Sequence, residues 1–284
     1  MTPLPPRSPI GRKATNLLVT IWAVTSALLG ILILFWITKE VLVRGLAALN
    51  LAFFTRLPTP PGVPGGGMVN AIFGTAILTL LASLVAVPLG LLGGIFLSEF
   101  GQESRVADNS RFSANVLMGM PSIIVGVFAY AVLVVPKKTF SGYAGAFALG
   151  IIMLPVVTRT TEDMLRLVPN TLREAALALG APRWRVTLDV VFRAAKAGLI
   201  TGVLLAVARV SGETAPLMFT ALNNPFWPRS LSEPTPNLTV TIFDYAMSPY
   251  PDWQTKAWGA SLIIMLGVLF LTIMARGLLR EKQR

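Results

Sequence analysis

The sequence predicts an all-α membrane protein with six transmembrane helices and one helical cytoplasmic loop. Three observations lead there. Only 13% of the 284 residues are charged and 54% are hydrophobic, with a mean hydropathy of +0.69, where a soluble chain keeps about a quarter of its residues charged. Six apolar runs each approach the roughly 20 residues needed to span a hydrocarbon core of about 30 Å. Lys and Arg then fall mostly on one side of those runs.

The runs lie at 17–37, 69–97, 114–135, 143–158, 198–222 and 257–275. The first follows Arg7, Arg12 and Lys13. It exceeds a signal-peptide core and no small-residue cleavage site follows, so it reads as a retained helix behind a cytoplasmic tail at 1–16. The second is long enough to tilt or bend, with Pro88, Gly90, Gly93 and Gly94 offering a place for it. With the N-terminus inside, sixteen of the 24 basic residues fall in cytoplasmic segments and seven in external ones, and Arg209 lies within a span. Such a bias places both termini in the cytoplasm of a multi-pass inner-membrane protein. It also accounts for the net charge of +11 without nucleic acid. The external loops at 57–67 and 223–255 are rich in Pro, and neither reads as a folded domain.

The chain has no Cys and no His, which removes disulfides, thiolate and imidazole chemistry, and the usual metal ligands. No catalytic residue and no metal ligand is expected. The triplet Gly65-Gly66-Gly67 lacks the Lys-Ser/Thr ending of a phosphate-cradling loop. The sequon Asn237-Leu238-Thr239 is read as chance.

The cytoplasmic loop at 162–197 carries signals for two short helices. Thr171 and Glu174 have the spacing of a capping box, and Leu172, Ala175, Ala176 and Leu179 recur at helical spacing. Gly180 suits a left-handed C-terminal cap and Pro182 the first turn of the next helix, where Trp184, Leu188, Val191 and Ala195 share a face. From the residues alone this pair is either an amphipathic re-entry at the membrane surface or a helix made to seat in a partner's groove.

Glu174-Ala175-Ala176, three residues, then Gly180 resembles the EAA motif of binding-protein-dependent ABC importer permeases. That family's apolar-x-Leu-Pro continuation is absent here, where Val190, Val191, Phe192 and Arg193 stand. Two further stretches, Met120-Pro121-Ser122-Ile123-Ile124-Val125-Gly126 and Ala208-Arg209-Val210-Ser211-Gly212-Glu213-Thr214-Ala215-Pro216, are similar to the phosphate permeases of that family. The resemblance runs over nearly the whole chain from Val69 onward. It implies a type I ABC importer permease fold and a coupling helix at Glu174, Ala175, Ala176 and Gly180. It also implies a second homologous permease subunit, two ABC ATPase subunits that bind the ATP and Mg, and an external phosphate-binding protein. No cofactor is expected on this chain, and its contacts besides protein are with membrane lipid.

Arg209 stands in the fifth apolar run with Glu213 four residues on, so both can share a helix face. An arginine at a helix centre costs roughly 2.5–3.5 kcal/mol, so something must compensate. The pair is either a self-satisfying buried ion pair or a handle for an oxyanion, whose geometry a guanidinium fork matches. Arg159 ends the fourth run beside Thr158, Thr160 and Thr161. It is either a snorkelling boundary residue or, by the resemblance, part of the lower substrate pathway. Glu162 and Asp163 are expected to be solvated at the cytoplasmic edge. The reading is therefore a permease subunit without enzymatic activity of its own, moving phosphate. Permeases for sulfate or molybdate, and a proton-coupled carrier using Glu213, are the alternatives.

Overall fold

The computed structural model describes residues 9–101 and 104–280. The expected start of the tail and the basic residues Lys282 and Arg284 lie outside that range. Its helices are α1 (Pro9–Ala48), α2 (Leu51–Thr55), α3 (Val69–Phe100, the last turn a π-helix), α4 (Arg105–Gly119) and α5 (Ser122–Lys137). They continue as α6 (Gly142–Arg166), α7 (Asn170–Ala178), α8 (Arg183–Val210), α9 (Ala215–Met218), α10 (Leu238–Ala246) and α11 (Pro251–Arg280). Among the described residues there is no strand. Five helices (α1, α3, α6, α8 and α11) are long and apolar enough to cross a bilayer, and α4 with α5 makes a sixth if that bent pair counts as one span.

Two expected spans are corrected. The run at 114–135 is not one helix: α4 and α5 meet at 101°. Proline accounts for the break, since Pro121 has no N–H to donate and its ring pushes the residue before it out of the helical region, as Met120 shows with ψ 135°. The run at 198–222 begins some fifteen residues earlier, because the second short helix expected after Pro182 is continuous with the span. It also ends earlier, at Val210. Inside α8 the stretch Val186–Val191 is a π-helix, whose wider turn rotates the buried face. Val186, Thr187, Val191 and Ala195 are buried, while Trp184 and Leu188, expected on the same face, are exposed. The other departures are small: α6 extends eight residues past 158, and α3 passes Pro88 without leaving the helix.

The core is centred on α3, α6 and α8, where Leu78, Ala82, Ala86, Leu149, Met153, Val157, Ala206 and Val210 form one buried cluster. Small residues permit the close approach that helix packing in a membrane relies on. A Cβ added at Gly90 of α3 would stand 2.7 Å from the Val157 Cβ of α6. A second cluster joins Phe53, Met68, Leu238, Tyr245, Ala257 and Ala260 at the opposite end from α7. There the Pro-rich segment at 223–255, read from the sequence as an external loop without a folded domain, holds the helix α10. Its N-cap is Asn237, whose Oδ1 accepts from the Val240 N–H at 3.0 Å. Asn237 is fully buried, so the sequon is a structural cap. By contrast, no residue in the most apolar stretch of α1 is buried in the single chain.

Candidate substrate pathway and coupling face

Arg209 is placed by the end of α8. The helix closes with Ser211 N–H to Val207 O at 3.0 Å, followed by tighter bonds from Gly212 N–H to Arg209 O and Glu213 N–H to Val210 O. Gly212 and Pro216 explain the stop, the one by flexibility and the other by its missing donor. Arg209 therefore sits in a last turn, not at a helix centre, and Glu213 lies beyond the helix. The expected common helical face does not exist. Among the described residues no carboxylate is within ion-pair distance of the Arg209 guanidinium, which is exposed on the single chain. Glu213 is half-buried, and its carbonyl accepts from Thr239 Oγ1 at 2.9 Å. The self-satisfying buried pair is thus excluded for this chain on its own.

The two stretches that carried the family resemblance meet in space. A Cβ at Gly126 of α5 would lie 2.6 Å from the Cα of Pro216 in α9, so the segment after Arg209 packs directly on the arm after the Met120–Pro121 bend. That contact fixes where the chain turns after Arg209. A groove of about 530 Å³ between α3, α8 and α11 runs nearby, lined by Thr75, Thr79, Ser83 and Ser211 among apolar side chains. Arg209 does not line it, and its largely apolar wall is unsuited to an oxyanion.

Arg159 belongs to a larger charged assembly at the α7 end of the bundle. Glu162 is not solvated, as had been expected: its side chain is 0% exposed. It accepts from Arg111 Nε at 2.7 Å and from Arg159 Nη1, and pairs with Arg166 Nη2 at 2.7 Å. Three guanidiniums thus compensate one buried carboxylate, the condition under which burying a charge is tolerable. Arg111 also donates to Asp108 at 2.9 Å and to the Leu97 carbonyl of α3 at 2.8 Å, tying α4 to both neighbours. Arg159 and Arg166 remain partly exposed, so two of the three arginines meet solvent while the third is more enclosed. A signal for this was present in sequence: Arg159, Glu162 and Arg166 stand three and four apart on one helix. Arg111 comes from 51 positions away and left none.

Glu174, Ala175, Ala176 and Gly180 lie on or just after α7. No residue of α7 is buried, and Leu172, Leu177 and Leu179 are exposed, Leu179 by 90%. Gly180 has φ +82°, the left-handed cap expected of it. The capping box does not form. The N-cap is Pro169, which has no side-chain acceptor, so Thr171 falls inside the first turn. What anchors this end instead is Arg173, which pairs with Glu99 of α3 at 2.8 Å; neither residue stood out in the sequence. Among the described residues no group of three or more His, Cys, Asp or Glu side chains could hold a metal ion.

A family model for the binding-protein-dependent transport system inner membrane component matches residues 86–283. The chain is 44% identical over 272 residues to the phosphate transport system permease protein PstA of Yersinia pestis, covering 96% of this chain and 92% of that one. The corresponding protein of Haemophilus influenzae is 45% identical over 272 residues, with 96% of each chain covered. PstA 1 of Mycobacterium tuberculosis is 32% identical over 273 residues, 93% of this chain and 88% of the relative. Among solved structures, the inward-facing MetNI methionine ABC transporter matches with a TM-score of 0.62 at 18% identity, covering 75% of this chain and 95% of that one. A bacterial ABC transporter involved in import of the acidic polysaccharide alginate matches with a TM-score of 0.66 at 13% identity, covering 96% and 100%. At those identities the structures speak for the fold.

Proposed function

Because this chain belongs to the binding-protein-dependent transport system inner membrane components, we propose that it is the permease subunit of an ATP-driven importer of inorganic phosphate. The observation that carries this reading is the near full-length similarity to named phosphate permeases. The chain works beside a second, homologous permease subunit, and phosphate passes between the two. An external binding protein delivers it, and two ATPase subunits that hold ATP and Mg dock on α7 from the cytoplasm. Both termini are cytoplasmic, in keeping with the distribution of Lys and Arg.

In this reading Arg209 supplies positive charge at the seam between subunits. Its exposure on the single chain, with no carboxylate partner among the described residues, suits that role. Glu213, a short way past the helix end, offsets the attraction so that the anion is released, since a lone cation in a dry cavity would hold a divalent oxyanion too tightly. Arg159 serves the cytoplasmic half of the route, where Glu162 limits its hold on the anion in the same way.

The test is uptake of radiolabelled phosphate into proteoliposomes holding the assembled importer. Uptake is expected to require ATP and the binding protein, to withstand collapse of the proton gradient, and to resist competition by sulfate or molybdate. Driving by the proton gradient without ATP would overturn the ABC reading, and equal competition by sulfate would overturn the substrate. Sidedness is checked with tags: those at Lys138 and Ser232 should be reached from outside intact cells and one at Ser110 should be shielded. The reverse pattern would overturn the orientation.

A further inference from the structure

Helix α7 is held by little apolar packing. None of its residues is buried. Only Ala176 and, just beyond the helix, Ala181 reach the cluster formed by Leu165, Val168, Val186, Val191, Ala195 and Leu199. Its remaining attachment is concentrated in one side chain. Arg173 Nη2 donates to Glu99 Oε1 at 2.8 Å and to the Leu165 carbonyl at 2.8 Å. Its Nε donates to Glu99 Oε2 at 3.2 Å, and Nη1 to the Val168 carbonyl at 2.5 Å and Asn170 Oδ1 at 3.3 Å. Those five bonds use all five N–H groups of a guanidinium.

The partners come from three segments, the ends of α3 and α6 and the start of α7. Glu99 lies in the π-helical last turn of α3, and its side chain is 9% exposed. The Leu165 carbonyl belongs to the last turn of α6 and that of Val168 follows it, among the acceptors a helix C-terminus leaves without an intrahelical partner and where a cation is favoured. Asn170 opens α7 itself. The same π turn is held from its other side by Arg111 of α4 through the Leu97 carbonyl. We propose that Arg173 with Glu99 is a positioning pair that transmits displacement of α7 to the ends of α3 and α6, so that a push on the exposed helix reaches the membrane bundle through one guanidinium. The assignment of the push to an ATPase rests on the function proposed above; the attachment itself does not.

Lysine cannot replace this arginine, because an ammonium has three donors and no fork. The test uses the assembled importer and the full chain. The chain has no native cysteine, so spin labels at Leu179→Cys and Asn109→Cys, both exposed, report the placement of α7 against α4. Arg173→Lys and Arg173→Met are expected to broaden that distance distribution. Both should lower the stimulation of ATP hydrolysis by phosphate-loaded binding protein by about tenfold, within the usual span of coupling between sites, while basal hydrolysis and co-purification of the ATPase persist. Should Arg173→Met fail to fold, the double variant Arg173→Met/Glu99→Leu removes both charges and takes its place. An unchanged distribution in Arg173→Lys and the double variant overturns the attachment. A broadened one with normal stimulation overturns the transmission. If the wild-type importer itself shows no stimulation, the ATP-driven reading fails, and the labels still decide whether Arg173 holds α7.

Discussion

The arginines at the α7 end of the bundle and the one in the last turn of α8 live in opposite circumstances. At the α7 end, Arg111, Arg159, Arg166 and Arg173 each have a carboxylate at 2.8 Å or less, and the receiving Glu162 and Glu99 are almost wholly withdrawn from solvent. In the last turn of α8, Arg209 has no such partner among the described residues and is exposed. A guanidinium that is fully bonded inside its own chain fixes geometry. One left without a partner keeps its donors for something outside. Charge inside a membrane protein therefore does not mark substrate handling by itself, since a bonded guanidinium can equally be part of the frame.

Replacing Glu162 by Leu should break the frame most severely. It would leave three guanidiniums crowded around an apolar side chain, and losing one partner of a buried charged group costs about 3–5 kcal/mol. Loss of folded complex in detergent, read by size exclusion and thermal unfolding, is the expected outcome, with Glu162→Gln intermediate. Normal folding of Glu162→Leu would mean that the cluster is not the frame it resembles.

Arg209→Gln sharpens the contrast from the other side. An exposed arginine without an ion-pair partner among the described residues should change stability by no more than about 0.5 kcal/mol when replaced, yet phosphate uptake should vanish. Arg209→Lys should recover little, because the bidentate fork is lost. Uptake at the wild-type rate in Arg209→Gln would remove this residue from the pathway.

Gly180→Val comes next. A β-branched residue at φ +82° is strained by about 1–3 kcal/mol, and the strain is confined to the end of α7. ATPase co-purification should fall while the spans stay inserted, and Glu174→Lys on the exposed face of the same helix should act in the same direction. Full ATPase binding in both variants would count against α7 as the docking helix. Glu213→Gln is expected to do least, a several-fold fall in uptake with assembly intact, since it keeps the backbone bond to Thr239 and an acceptor while losing the charge. Complete loss of uptake would give Glu213 as large a part as Arg209 in handling the anion.

Much of this was open to sequence reading because the signals were local. Apolar length fixed the existence of the spans, and the Gly after α7 marked its cap. What hydropathy could not register was a backbone break inside an apolar run. Met120-Pro121 interrupts one such run and Val210-Ser211-Gly212 another, and both breaks decide where the arginines stand. Nor could periodicity foresee the π turn in α8, which moved Trp184 and Leu188 off the buried face. The charged clusters were half visible. The Arg159–Glu162–Arg166 spacing was present in the chain, but pairing across 51 and 74 positions depends on how α4 meets α6 and α7 meets α3 and leaves no local mark.

The glycine contact between α3 and α6 has a mechanical corollary. With Gly90 set so near Val157 that one added carbon would collide, the two helices interlock like a tongue in a slot. Neither can slip along the other by a turn without first lifting clear, and packed interfaces of this kind switch between discrete seatings instead of deforming smoothly. The pair is thus stiff against shear, and any opening and closing of a passage must be accommodated at looser seams, such as the bare length of α1 or the elbow at Pro121.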